Sequence, residues 1–277
     1  MDTLEFFDSS DRKPVGRTGE YVSSIGLGTW SIRDYHKAEE VFMKALTDKG
    51  IDNIDTAEMY DSGRAEEFVG NIVRRIGRDR VFVTTKMLPY HLISRDEVLK
   101  AGRMSLRRLG LRYVDLFLIH WPNESIPIEH QVRNFEAVYE SGIARYIGVS
   151  NFSVDELELA LTATKKAEIV VDQVHYSVHH RRHVEDSLLG YCVRNNITIQ
   201  AYTPIERGAV ARDRMLIRIA GELGKTPIQV ALNYVISHKN VVAIVKTESM
   251  GHLEEITGAM GWRLPLEKLI ELKRRRG

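Results

Sequence analysis

The chain has 277 residues, with 39 lysines and arginines against 38 aspartates and glutamates, a formal charge of +1. That balance gives no global electrostatic reason to bind nucleic acid or an anionic membrane surface. Cys192 is the only cysteine, so an internal disulfide and a cysteine-based metal centre are excluded and a reducing cytoplasm is the expected compartment. Met1-Asp2-Thr3-Leu4-Glu5 lacks the basic-then-apolar order of a secretory leader, and no run reaches the roughly 18 apolar residues of a membrane span.

In chain order, residues 4–24 read as a β-hairpin, with Asp11-Arg12-Lys13-Pro14 between two mixed runs, placed to plug the bottom of a barrel. Short β-like runs then recur near 25–29, 52–56, 81–86, 114–120, 145–150, 170–174, 197–202 and 241–245. Amphipathic stretches with helix starts separate them. Ser94-Arg95-Asp96-Glu97 is a capping box, with Ile93 and Val98 spaced as a hydrophobic staple and Gly110 as the stop. Ser153-Val154-Asp155-Glu156 repeats the device between Phe152 and Leu157, and Thr226-Pro227-Ile228-Gln229 adds proline at the first helical position. This rhythm, without any linker of low complexity, predicts one (β/α)8 barrel domain over 1–277.

Four polar side chains lie at the ends of three consecutive runs: Asp55 and the nearby Tyr60, Lys86, and His120. Strand C-termini share the face where such barrels do chemistry. A phenol beside an ammonium group there can serve as a proton donor, its pKa lowered by the neighbouring charge. The plainer readings are a buried Lys86–Asp55 ion pair and a core histidine; placing all four groups at successive strand ends favours a site. His179-His180-Arg181-Arg182-His183 invites a metal, but it lacks clear partner ligands, so none is expected. Lys273-Arg274-Arg275-Arg276 reads as a solvated helix end that complements the dipole.

Across nearly its whole length the chain resembles the aldo-keto reductase superfamily. The resemblance rests on Gly26-Leu27-Gly28-Thr29-Trp30, Asp55-Thr56-Ala57-Glu58-Met59-Tyr60, Thr85-Lys86, and Asp115-Leu116-Phe117-Leu118-Ile119-His120-Trp121-Pro122. It continues through Gly148-Val149-Ser150-Asn151-Phe152, Asp172-Gln173-Val174-His175-Tyr176, Ala201-Tyr202-Thr203-Pro204 and Val245-Lys246-Thr247. It implies an NAD(P)H-dependent carbonyl reductase without a Rossmann domain. In that scheme Tyr60 is the general acid, Lys86 lowers its pKa, Asp55 pairs with Lys86, and His120 orients the carbonyl.

For the cofactor the resemblance places Ser150, Asn151 and Gln173 at the nicotinamide carboxamide and stacks Tyr202 on the ring. Gly28, Thr29 and Trp30 lie on the same face, Thr203, Pro204, Ile205 and Gly208 at the pyrophosphate, and Lys246, Thr247 and His252 at the adenosine phosphate. Where the family often has an arginine this chain has His252, and Ile256 replaces an asparagine that often contacts adenine. NADP(H) preference therefore rests on Lys246 and Thr247, with NAD(H) use also possible. Trp30, Tyr60, Met87, His120 and Trp121 are expected to line a pocket for a small carbonyl substrate, with no long C-terminal loop to close it. The expected assembly is a monomer or weak homo-oligomer, without nucleic-acid or membrane partners. Two other classes stay open: a nicotinamide-binding regulatory subunit and a Schiff-base aldolase using Lys86.

Overall fold

The computed structural model describes residues 6–274. Among them two short strands, β1 (Arg12–Pro14) and β2 (Tyr21–Ser23), form an antiparallel pair. Eight parallel strands come next: β3 (Ile25–Gly28), β4 (Asn53–Asp55), β5 (Phe82–Met87), β6 (Val114–Ile119), β7 (Ala144–Ser150), β8 (Ile169–His175), β9 (Thr198–Tyr202) and β10 (Val241–Val245). They pair in chain order, and β10 bonds to both β9 and β3, closing the barrel. Each β-like run of the sequence became one of these strands. Their near-continuous apolar character follows from burial on both faces, with helices outside and side chains filling the interior.

The hairpin differs from expectation in its turn. Asp11-Arg12-Lys13-Pro14 mostly forms strand β1, and the chain reverses over Gly16–Gly19, where φ is +55° at Gly16 and +80° at Gly19. Glycine alone enters that region without cost, which places the turn. The hairpin docks on the barrel bottom: Thr198 Oγ1 donates to the Pro14 carbonyl at 2.6 Å, and Ser23 N donates to Asp52 Oδ1 at 2.8 Å. Its Val15 and Val22 join Leu116, Leu118, Val170, Val242 and Ile244 in one buried cluster. Burying each valine is worth about 1.5–3 kcal/mol, so the hairpin caps the barrel as an integral plug.

The helix starts at Ser153 and Thr226 form complete capping boxes. At Ser94 only half forms. Its hydroxyl accepts from Glu97 N at 3.3 Å, but the Glu97 carboxylate lies 3.6 Å from Lys100, and Ile93 is 64% exposed, so no staple closes on buried Val98. Helices Arg64–Ile76 and Arg95–Leu109 touch closely because Gly70 has no side chain; a Cβ there would sit 1.9 Å from the Leu109 carbonyl oxygen. The C-terminal helix is described to Arg274, and the basic residues after it lie outside the described residues. No helix among the described residues is long and apolar enough to cross a membrane.

Candidate active site

Lys86 lies near the end of β5 with no exposed surface. Its ammonium donates to Asp55 Oδ2 at 2.7 Å, to the Thr56 carbonyl at 2.8 Å and to the Tyr60 hydroxyl at 3.1 Å. All three protons are spent. The other Asp55 oxygen accepts from Gln173 Nε2 at 2.7 Å, and the same nitrogen donates to Gln200 Oε1 at 2.8 Å. Gln200 was not singled out in the sequence, yet a glutamine inside the apolar run of β9, in register with Gln173 of β8, carried that signal.

Burial works against the Lys86 charge, but Asp55 and Tyr60 outweigh it and hold the ammonium above its ordinary value. For Tyr60 the balance runs the other way. Burial pushes its phenol up, Lys86 pulls it down and Asp55 pushes up again, and the net direction is upward. The expectation of a phenol below its ordinary value is therefore corrected: Lys86 offsets desolvation without overcoming it. Burial and then the Lys86 charge depress His120 to about 3. It is neutral at physiological pH, with Nδ1 buried and unpartnered. Its ring meets that of Tyr60 edge-on, centroids 5.6 Å apart.

Tyr60 reaches this cluster from a tight turn after β4. Asp61 and Ser62 adopt φ of +48° and +54°, a region costing non-glycine residues of order 1–3 kcal/mol each, and Asp61 is held by the Tyr35 hydroxyl at 3.0 Å. Behind the turn a charge network unseen in the sequence fastens the next helix. Buried Glu66 accepts from Thr85 Oγ1 and Arg108 Nε, both at 2.6 Å. The only sequence signal was an acid on an otherwise apolar helix face.

The residues expected at the cofactor divide into groups. Ser150, Asn151 and Tyr202 come together: Asn151 Nδ2 donates to Ser150 Oγ at 3.0 Å and to the His120 carbonyl at 3.1 Å, and Tyr202 donates to Asn151 Oδ1 at 2.9 Å. Gln173 joins them through its carbonyl, which accepts from Ser150 Oγ at 2.7 Å. Since the Gln173 amide protons are committed to Asp55 and Gln200, its Oε1 is the atom left for a ligand. Gly28 and Thr29 are buried, and Thr29 Oγ1 donates to the Asp55 carbonyl at 3.0 Å, so they shape the barrel end.

Thr203, Ile205 and Gly208 form a tight loop after β9, with φ positive at Thr203 and Gly208, and Pro204 is buried beneath it. Across β10, Arg207 of this loop sits 5.0 Å from the Trp30 ring centroid. Lys246 is not a free cation: it pairs with Glu248, whose carboxylate also accepts from Arg33 N at 3.1 Å and Asp34 N at 2.9 Å. Thr247 is buried and its hydroxyl accepts from Ser249 N at 3.1 Å. His252 is exposed in the first turn of the helix Met250–Thr257.

At the rim, Trp30 is 50% and Trp121 36% exposed, and the Trp121 ring lies 4.7 Å from that of His120. Met87 is corrected: it has no exposed surface and belongs to the core, so it does not line the open face. Met59, 43% exposed, is an apolar rim residue that carried no signal in the sequence.

A closed (β/α)8 barrel with a lysine–aspartate–tyrosine–histidine cluster at its strand ends defines a protein that works at its C-terminal face. The chain belongs to the aldo/keto reductase family, whose sequence profile matches residues 24–274. It is 35% identical to a glyoxal reductase of Bacillus subtilis over 80% of this chain and 78% of that one. Among solved structures, a thermostable aldo-keto reductase crystallised with the inhibitor epalrestat superposes with a TM-score of 0.87 at 38% identity, covering 94% of this chain and 98% of the other. An aldo/keto reductase of Klebsiella pneumoniae in complex with NADP and acetate gives 0.86 at 32%, covering 96% and 95%.

Proposed function

We propose that the protein is an NADP(H)-dependent carbonyl reductase acting on small aldehydes and ketones, with its whole length working as one barrel. The observation that carries this reading is the Lys86 ammonium held between Asp55 at 2.7 Å and the Tyr60 hydroxyl at 3.1 Å. The donor set fits a nicotinamide dinucleotide. Tyr202 offers a ring face, Ser150, Asn151 and the free oxygen of Gln173 suit a carboxamide, and Lys246, Arg207 and the helix start at Ser249 suit phosphates. When bound, the reduced nicotinamide supplies hydride to the carbonyl carbon.

The chain supplies the rest. Tyr60, protonated at neutral pH, donates its proton to the carbonyl oxygen as that oxygen gains charge. Lys86 stabilises the phenolate left behind and Asp55 keeps Lys86 charged, while Gln173 holds Asp55. His120, neutral, orients the carbonyl by a hydrogen bond rather than by charge. Trp30, Met59 and Trp121 exclude water around a small substrate. A relative named as a glyoxal reductase makes small dicarbonyls the first substrates to try. The intact cluster weighs against a purely regulatory subunit. Lys86, buried and committed to three acceptors in its charged state, is a poor Schiff-base nucleophile. The buried thiol of Cys192 suits a reducing cytoplasm, and monomer or weak homo-oligomer is the expected assembly.

Oxidation of NADPH followed at 340 nm with glyoxal and a panel of simple aldehydes tests the reading. Turnover that disappears in Tyr60→Phe supports it; absence of NADPH oxidation with every carbonyl offered overturns it.

A further inference from the structure

The corner assigned to the adenosine phosphate holds a carboxylate as well as a cation. Glu248 Oε1 accepts from Arg33 N at 3.1 Å and from the Lys246 ammonium, and Oε2 accepts from Asp34 N at 2.9 Å. Asp34 is the cap of the helix Tyr35–Asp48, its own carboxylate accepting from His36 N and Lys37 N, both at 3.1 Å. Glu248 is thus fastened to a rigid helix start, with only 16% of its side chain exposed. Burial raises its carboxyl, but Lys246 and the two amides outweigh that and hold it below the ordinary glutamate range, so it is charged at neutral pH. Lys246 is the one side-chain cation paired with it among the described residues.

We propose that Glu248 is a specificity-determining residue that opposes the 2′-phosphate of NADPH and accepts a hydrogen bond from the 2′-hydroxyl of NADH, narrowing the preference that Lys246 creates. This role rests on the cofactor reading under Proposed function. A carboxylate offers about four acceptor positions. Arg33 N and Lys246 take those of Oε1 and Asp34 N takes one of Oε2, which leaves one on Oε2 for a hydroxyl donor.

The same tether sets the cost for a phosphate. An acid beside an adenosine ribose pairs with a hydroxyl there, whereas a phosphate brings a charge of about −1.5 to −2 against it. A carboxylate on a free side chain would turn to water; two backbone amides keep Glu248 where it is. Lys246 reaches the phosphate either by sharing its charge with Glu248 or by leaving Glu248 unpaired, and both reduce what the cation contributes. Discrimination is a difference of two affinities, and here one residue acts on both.

The test is the ratio of NADPH to NADH affinity, titrated by tryptophan quenching at pH 8, where the 2′-phosphate is ionised, in the wild type, Glu248→Gln, Glu248→Ala and Glu248→Asp. Loosening of the loop 29–34 weakens both dinucleotides alike and cancels in that ratio. In Glu248→Gln, NADPH should tighten about fivefold and NADH weaken about twofold, raising the ratio about tenfold, or ~1.4 kcal/mol. Glu248→Ala removes the charge together with the tether and should raise the ratio as well. Glu248→Asp keeps the charge while disturbing the same amide bonds, and its ratio should stay near the wild-type value. A ratio that fails to rise in Glu248→Gln and Glu248→Ala, or that rises equally in Glu248→Asp, overturns the proposal and leaves the cofactor reading intact, with Glu248 serving only to tether the loop. Failure of the wild type to bind either dinucleotide removes both.

Discussion

Two lysines of this barrel have no exposed surface, and they behave oppositely. Lys86 on the catalytic face is held above the ordinary lysine value, whereas Lys13, in the hairpin at the bottom, is lowered to about 8. Each touches an aspartate at 2.7 Å. What differs is the partner. Asp55 has 6% of its side chain exposed and is fixed by Gln173, while Asp8 is 23% exposed, and the Arg263 charge adds to the desolvation of Lys13. Proximity to an acid does not make a lysine a stable cation; an equally buried, oriented acid does. The top of the barrel invests in a permanent charge beside a phenol, and the bottom tolerates an ammonium close to neutrality.

The most severe way to break the upper cluster is Tyr60→Phe, which keeps the ring and removes the transferable proton. Reduction should fall by about 100-fold or more in kcat, with NADPH affinity changed less than about twofold. Because the phenol lies above its ordinary value and His120 near 3, the wild-type reduction rate should show no loss from either group between pH 6 and 9. A rate that collapses in that range through ionisation of Tyr60, identified by its ultraviolet difference spectrum, would contradict this balance. Lys86→Met should cost nearly as much and Asp55→Asn about tenfold, since the aspartate acts through the lysine and one pK unit is worth about 1.4 kcal/mol.

Substituting the two lysines identically sharpens the contrast in stability. Lys86→Met leaves the buried Asp55 carboxyl without its cationic partner and should cost about 3 kcal/mol in chemical denaturation at pH 7. Lys13→Met should instead stabilise by about 1–3 kcal/mol, because Asp8 can turn to water. Since Lys13 is lowered to about 8 from an unfolded value of 10.5, the folded state releases its proton first. Wild-type stability then rises between about pH 8 and 10.5, and the penalty is fully present below pH 8. Lys13→Met should lack that rise.

Much of this contrast could be read from the sequence only on one side. The strand-end placement of Asp55, Lys86 and His120 was legible because apolar runs with period and length set strand ends, and the closed barrel follows from eight such runs. The Lys86–Asp55 pair was legible because adjacent parallel strands bring equal depths together. The sign of the Tyr60 shift was not, since it depends on how much water the fold removes, which no residue pattern records. The turn at Gly16–Gly19 was misplaced because Pro14 and the charged residues before it looked like the stronger turn signal. Lys13 meets Asp8 only five residues away, but its burial and the Arg263 charge beside it, like the Arg33 and Asp34 amides held by Glu248, required the closed barrel.

A third lysine, Lys246, tests whether a cation at the surface obeys the same rule. It pairs with Glu248, which also anchors the Arg33 and Asp34 amides, so its charge is shared before any phosphate arrives. Its side chain is 31% exposed, and a charged hydrogen bond there, partly screened by water, should favour NADPH over NADH by about tenfold in affinity. Lys246→Ala should reduce that ratio toward one and leave NADH binding nearly unchanged. His252 is exposed and single-pronged, so His252→Arg should restore a bidentate partner and tighten NADPH selectively by a few-fold. Equal quenching titrations for the two dinucleotides in the wild type would mean that the Glu248 pair survives cofactor binding and that Lys246 belongs to the loop, not to the phosphate.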